Sequence, residues 1–337
     1  MFMNPVHCLP MSLCTCALLS ATAASLQAET AYSTPCGYIQ MDLYAKTTNY
    51  LGLGVHPEAL VQHTLQAGNV TTAGGKVTIT DPDVNFQELM NQDSAYILVL
   101  HFGDEAIALP LNRDGWKRPG GGTCWTEHSI EVDDRLLSDL VSKGAPDSYV
   151  LRKAHTLDDV LGPDNQFGLK SGSAISADTV NVFNSATTKL AAYYSGDGWR
   201  RRGSTEDIGG MPVFSHEPLT IARKAGADVK AVVVGEVSLK HQKLVVPMFN
   251  SLLHTRLPLA QTLAETALQL PDDAVVNIPI GDKNAMVKVV NNNGSWERQD
   301  NGEDVSNIPF HGAFSVYYES SRTPAHITVS GKHLTNK

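Results

Sequence analysis

The chain has 337 residues, with 26 Lys and Arg against 35 Asp and Glu for a net charge of -9. At 42% hydrophobic and 18% charged it is long and apolar enough for two or three domains with proper cores, which excludes a disordered chain. The acidic balance and the lack of a long basic run exclude a nucleic-acid partner, because neutralising phosphates needs clustered Lys and Arg.

The first predicted element is an export signal. Residues 1–31 hold no Asp, Lys or Arg and a single acid, Glu29, and 8–26 is a run of apolar and small residues. That is the pattern of a secretory signal peptide, placed at 1–28, with Ala23, Ala24 and Ala28 as candidate cleavage positions. Pro5 and Pro10 argue against a buried helix there. No later apolar run reaches the roughly 18 residues a bilayer demands, so no membrane span is expected in the mature chain. Export also sets the redox compartment. Cys8, Cys14 and Cys16 leave with the signal, and Cys36 and Cys124 remain as an even pair, either a disulfide or two separately buried thiols.

Beyond residue 37 the dominant pattern is period-two alternation bounded by Gly, Asp, Asn and Pro. Strands are predicted at 37–43, 76–80, 95–102, 106–111, 129–132, 191–194, 218–223, 229–237, 286–290, 313–318 and 326–330. A helix is predicted at 133–143, where Leu136, Leu137, Leu140 and Val141 share a face and Gly144 stops it. Short helical turns are predicted at 57–65, 156–161 and 259–268. The fold class is all-β.

Internal similarity divides the chain further. Aligning Trp199 with Trp296 also matches Arg201 with Arg298, Glu206 with Glu303, Asp207 with Asp304 and Pro212 with Pro309. A weaker match sets Gly37 against Gly235 and His56 against His254, and His63-Thr64-Leu65 recurs as His155-Thr156-Leu157. The reading is two tandem homologous β-sandwich or barrel-like modules at 32–236 and 237–334. A five-stranded small barrel is inserted in the first at 66–154, with Leu65 and Ala154 adjacent where the chain leaves and returns.

Several short motifs carry a family resemblance. Ser33-Thr34-Pro35-Cys36-Gly37-Tyr38-Ile39, Thr156-Leu157, Tyr193-Tyr194 with Trp199-Arg200, and Arg223-Lys224-Ala225-Gly226 before a strand ending in Gly235 are among them. Together they resemble an uncharacterised family of exported β-rich proteins found mainly in Verrucomicrobia and related bacteria. The resemblance covers about residues 33–330 and implies a secreted all-β protein, with no activity, cofactor or catalytic residue to carry over. That family usually has an aliphatic residue where this chain has Cys36.

Motifs for chemistry are sparse. Gly120-Gly121-Gly122-Thr123-Cys124-Trp125, with His311 as a base, departs from a cysteine-protease site: Arg118 stands where an oxyanion Gln belongs, and the spacing is wrong. Asp81-Pro82-Asp83-Val84-Asn85 begins like a calcium loop but has Phe86 and Gln92 where Gly and Glu are needed. Asp300, Glu303 and Asp304 form a second acidic loop. The twelve histidines show no zinc spacing, and no serine elbow, phosphate loop or dinucleotide fingerprint occurs, so no metal, cofactor or catalytic residue is assigned. The most suggestive surface is the hairpin of Tyr193, Tyr194, Trp199, Arg200, Arg201 and Arg202, with Trp296 as its counterpart. Rings beside planar donors suit a sugar or an anionic polymer, whereas repeated tryptophans also suit cross-strand core anchors. The expectation is an exported, non-enzymatic structural or adhesive component of the cell surface or matrix, partnered by a surface glycan or protein. The alternative is a carbohydrate-binding or carbohydrate-active protein.

Overall fold

The computed structural model describes residues 35–337 except 67, 116–123, 134–136, 138–139, 142–143, 184–187, 225, 239, 247–249, 258–260, 267, 269, 271–273, 281–284, 311, 319–324 and 330–337. The predicted signal segment and most of the predicted 133–143 helix lie outside the described residues.

The chain begins with β1 (Cys36–Leu43), β2 (Thr48–Leu51), β3 (Val55–His56), β4 (Ala59–Thr64), β5 (Val70–Ala73), β6 (Lys76–Thr80) and α1 (Phe86–Leu89). It continues through β7 (Tyr96–Phe102), β8 (Glu105–Leu111), β9 (Ser129–Asp133), β10 (Ser148–Lys153), β11 (His155–Thr156) and α2 (Leu157–Leu161). Next come β12 (Thr179–Phe183), β13 (Lys189–Tyr194), β14 (Trp199–Arg201), β15 (Pro212–Val213), β16 (Leu219–Ala222) and β17 (Val229–Val237). The last part holds β18 (His241–Val246), β19 (Asn250–His254), β20 (Gln261–Thr262), α3 (Leu263–Thr266), β21 (Ala274–Ile280) and β22 (Ala285–Asn292). It closes with β23 (Ser295–Arg298), β24 (Pro309–Phe310), β25 (Ala313–Tyr318) and β26 (Ala325–Val329). Besides helical residues at Leu137, Leu140 and Val141, within the predicted 133–143 helix, the three short helices α1 to α3 interrupt the strands, and the protein is all-β.

Alternation decides how the strands pack. In β1 the odd positions Ile39, Met41 and Leu43 are buried while Gln40 and Asp42 face out, so the strand covers a core with one face only. β7 is different: Tyr96 to Leu100 are all buried, because its sheet packs on both sides. That sheet has the order β26-β18-β8-β7-β10-β4. One face meets the β5-β6-β9 sheet in a core of Tyr96, Leu98, Leu100, Val77, Ile79, Ile130 and Tyr149. On the other, Ile97, Val99, Ala106 and Ala108 pack around Phe214.

Two five-stranded sheets flank this centre, and they share one arrangement. The first runs β14-β13-β12-β16-β2 and the second β23-β22-β21-β25-β19. Each is accompanied by a two-stranded pair, β11-β15 or β20-β24, with a short helix starting directly after its first strand. The long antiparallel pairs β1-β17 and β18-β26 occupy matching places in chain order. Helix α2 starts at a Thr156 cap whose hydroxyl accepts from Asp159 N (3.1 Å), and Thr262 accepts from Glu265 N (3.2 Å) in the same way before α3. All of this lies in one compact unit.

The strand layout differs from the sequence reading at the insertion. Residues 66–154 supply six strands, β5 to β10, divided between two sheets, and the larger of these continues through β8 onto β18 in parallel. Residues 57–65, read as a helical turn, contain strand β4, since its alternating half-exposed pattern fits a sheet edge on β10. Leu65 and Ala154 do not meet. Because β10 runs antiparallel to β4, Leu65 N donates to Asp147 O (2.8 Å) and Ala154 N to Ala95 O (2.9 Å). The excursion closes instead where the Arg152 guanidinium reaches the Pro57 carbonyl. The recurrent His-Thr-Leu motif therefore marks two dissimilar places, an edge strand and a helix cap.

Candidate functional site

The predicted aromatic hairpin forms, but Tyr194 and Trp199 point inward, while Tyr193 is half-buried on the opposite face of the strand. Strands β13 and β14 pair with Tyr193 opposite Arg200 and Tyr194 opposite Trp199, across a turn in which Ser195 N donates to Gly198 O (3.0 Å). Gly196 supplies the left-handed φ of 115° that this turn needs. Trp199 is only 1% exposed, its ring set edge-on to Tyr194 at 5.3 Å, and its Nε1 donates to the Gly162 carbonyl (2.8 Å). Trp296 is 3% exposed in the core of the second five-stranded sheet. Trp199 O accepts from Ile208 N (2.9 Å) and Trp296 O from Val305 N (2.7 Å), the same bond 97 residues apart. Neither indole offers a face on which a sugar could stack.

The arginines are engaged locally. Arg200 lies 3.3 Å from Asp207 and 3.5 Å from Asp197, and Arg201 lies 3.4 Å from Glu206. Arg202 is exposed, with its backbone N–H on Ala191 O (2.8 Å). Arg298 repeats the theme with Asp300 (2.8 Å) and Glu303 (3.5 Å). These partly exposed pairs each contribute little to stability. The acidic loop at Asp300 is thus tied to its own hairpin.

The other predicted positions are also accounted for. Cys36, exposed at the start of β1, and Cys124, packed at the edge of the core between the two central sheets, are not bonded to each other, so of the two alternatives the structure has separate thiols, with Cys36 exposed where burial was expected. Burial pushes the Cys124 thiol pKa up, which disfavours the nucleophilic thiolate. His311 and Gly120 to Gly122 lie outside the described residues. Asp81, at the supposed calcium loop, is buried and turned toward the protein: it accepts from Asp83 N (3.1 Å) and Tyr149 Oη (2.8 Å), and sits 2.9 Å from His63 Nδ1.

A different constellation, unmarked by any local motif, is the most unusual polar feature of the molecule. Arg256, 1% exposed, follows β19 with a left-handed φ of 62°, and its N–H donates to Nδ1 of the buried His254 (2.9 Å). Its Nε donates to Ser215 Oγ (3.1 Å) and its Nη2 to Nε2 of His56 (3.3 Å), a residue 3% exposed on β3. Arg152 stands near this group and is paired with Glu236, while Arg113 holds Glu217 in two bonds of 2.5 and 2.7 Å and stacks over Phe214. Burial holds the Arg256 guanidinium down to about 9, with the charge of Arg152 adding to the effect. Burial, with Arg256 and Arg152 alongside, also keeps the His56 imidazole neutral well below its ordinary pKa. The only hint in the sequence was the match of His56 with His254; the 200 residues between His56 and Arg256 conceal the rest.

Comparison with protein-family models, curated proteins and solved structures finds no match for this chain.

Proposed function

We propose that the chain is an exported, non-enzymatic β protein that serves as a structural or adhesive component of the cell surface or its matrix, built from two duplicated β modules. The observation that carries this reading is an apolar strip on the outer face of the β1-β17 pair. Tyr38 is 64% exposed, Val234 66% and Val232 42%, and with Cys36 and Gly37 they line a shallow open depression. Contiguous exposed apolar side chains mark contact surfaces, and valines beside one tyrosine suit a protein partner better than a glycan. The apolar run at 8–26 and the resemblance to exported β-rich proteins support the location. The shared order of the two five-stranded sheets supports duplication.

The test is fractionation of the native producing cells. The unaltered protein is expected in the surface or matrix fraction, and Tyr38→Ser with Val234→Thr is expected to shift it to the medium without changing its unfolding midpoint. Retention of that double variant on the surface overturns the contact assignment. Specific capture on a glycan array by the unaltered protein would favour the carbohydrate-binding alternative.

A further inference from the structure

We infer that the open edge of β1 at Tyr38–Gln40 accepts a parallel β-strand from a partner protein, an extended segment with apolar, uncharged side chains on its outward face. This deepens the contact role proposed for the strip of Tyr38, Val232 and Val234 and rests on that reading. The sheet β1-β17-β3 ends at β1, and among the described residues no strand pairs with the far side of β1. Hydrogen bonding in an antiparallel pair alternates, so every second residue of β1 turns its N–H and C=O away from β17. Val237 N donates to Pro35 O (2.8 Å), which sets the phase: Gly37, Ile39 and Met41 bond to β17, while Tyr38 and Gln40 direct their backbone groups to the open edge. Those groups meet no partner among the described residues. An edge of this kind, on an eight-residue strand, is a template for a further strand.

The chain itself shows what such an edge takes. The pair β18-β26 stands at the matching place in chain order, and Gln242 opposite Val329 repeats Ile39 opposite Val233, all four buried. On that match His241, Gln242 and Lys243 correspond to Tyr38, Ile39 and Gln40. These are the three residues through which β18 pairs in parallel with β8, and His241 N donates to Asp104 O (3.0 Å). Beside β1 the corresponding position holds no strand among the described residues.

Side chains specify the occupant. Lys243 pairs with Glu105 of β8, whereas the uncharged Gln40 stands at the corresponding place on β1. Tyr38, and Val234 opposite it on β17, are exposed and make the outward face apolar. The incoming strand therefore presents apolar groups where β8 presents Glu105 and Ile107, its main-chain bonds giving affinity and its alternate side chains selectivity. A second copy that kept its strip on the same face would meet β1 antiparallel across a two-fold axis, unlike β8 on β18, so the occupant is a different protein.

The test uses the full folded chain, isotope-labelled for amide exchange, and a capped peptide of the β8 sequence Glu105–Leu111 carrying Glu105→Gln. With peptide at about ten times its Kd, exchange of the Tyr38 and Gln40 amides is expected to slow about tenfold, because only the unbound fraction is open, with Ile39 and Met41 unchanged. Gln40→Pro removes an edge N–H without touching the β17 ladder and is expected to abolish binding. Should that variant fail to fold, amide protection in the unaltered protein decides. Binding without protection of those two amides would put the peptide on the face of the pair, overturning the inference and leaving the contact reading intact. Absence of binding would overturn it too, while surface fractionation decides the contact reading independently. Protection that rises with protein concentration alone would make the occupant a second copy and overturn the assignment to another protein.

Discussion

Replacing Trp199 tests the assignment of the repeated tryptophans to the cores. The side chain is 1% exposed, touches Tyr194 edge-on at 5.3 Å and ties the β13-β14 hairpin to the end of α2 through the Gly162 carbonyl. Trp199→Ala deletes the whole ring, for which core changes of this kind cost about 3–5 kcal/mol. It also leaves the buried Gly162 carbonyl without its donor, itself about 1–3 kcal/mol, which places the variant at the top of the first range. Trp199→Phe keeps much of the ring volume and loses the hydrogen bond, so it should cost about 1–3 kcal/mol. Against a total stability of about 5–15 kcal/mol, the alanine variant should be close to unfolding. Urea titrations followed by far-UV circular dichroism give both values, provided the slope stays constant. Trp296→Ala should lose about 3–5 kcal/mol on the same grounds. An alanine cost below about 1 kcal/mol at either tryptophan would refute the core assignment and restore an exposed ring as a ligand platform.

Other expectations follow from particular contacts. Glu217→Gln should cost about 3–5 kcal/mol, because Arg113 is left as a poorly compensated buried cation. Burial pushes the Glu217 carboxyl up, but His216 and Arg113 outweigh it and hold its pKa below 4.5; the stability it contributes is therefore full above pH 4.5 and lost as pH falls through the folded value. Acid titration of the glutamine variant should lack that loss, and an unchanged acid limb would count against it. Gly52→Ala should destabilise by about 1–3 kcal/mol, since the added methyl would overlap the His254 ring, whereas Gly210→Ala, with open space around it, should be near neutral in the same calorimetric scan. His101 is held by burial, with Lys240 nearby, at about 4 in place of 6.5. The unfolded chain takes up that proton first, so stability present above pH 6.5 should fall between pH 6.5 and 4, and His101→Gln should make the slope shallower there.

Where the sequence was legible, the reason is periodicity. Strands such as β6, β17 and β25 stand where alternation predicts them, since one buried face and one wet face write themselves into every second residue. Strands β2, β12, β19 and β21 were missed: their faces are set by partner strands outside the segment, 172 residues away for β2, where Asn49 Nδ2 donates to Ile221 O, and a short segment alone carries no such register. β4 was read as helical because Pro57 opens it like a helix start, but its backbone groups find β10 instead.

The functional candidates divide the same way. From the sequence alone come the all-β class, the acidic charge, the apolar first 28 residues and the sequence match of Trp199 with Trp296, because each depends on composition or on a local pattern along the chain. The tertiary structure decided that both indoles are buried, that Cys36 and Cys124 stay unlinked, and that Tyr38, Val232 and Val234 form one exposed strip. It also brought His56, Ser215 and Arg256 together from three distant segments. A side chain's inward or outward direction follows from which sheet covers it, and a polar cluster follows from where the chain crosses itself; neither quantity is encoded within reach of a single strand.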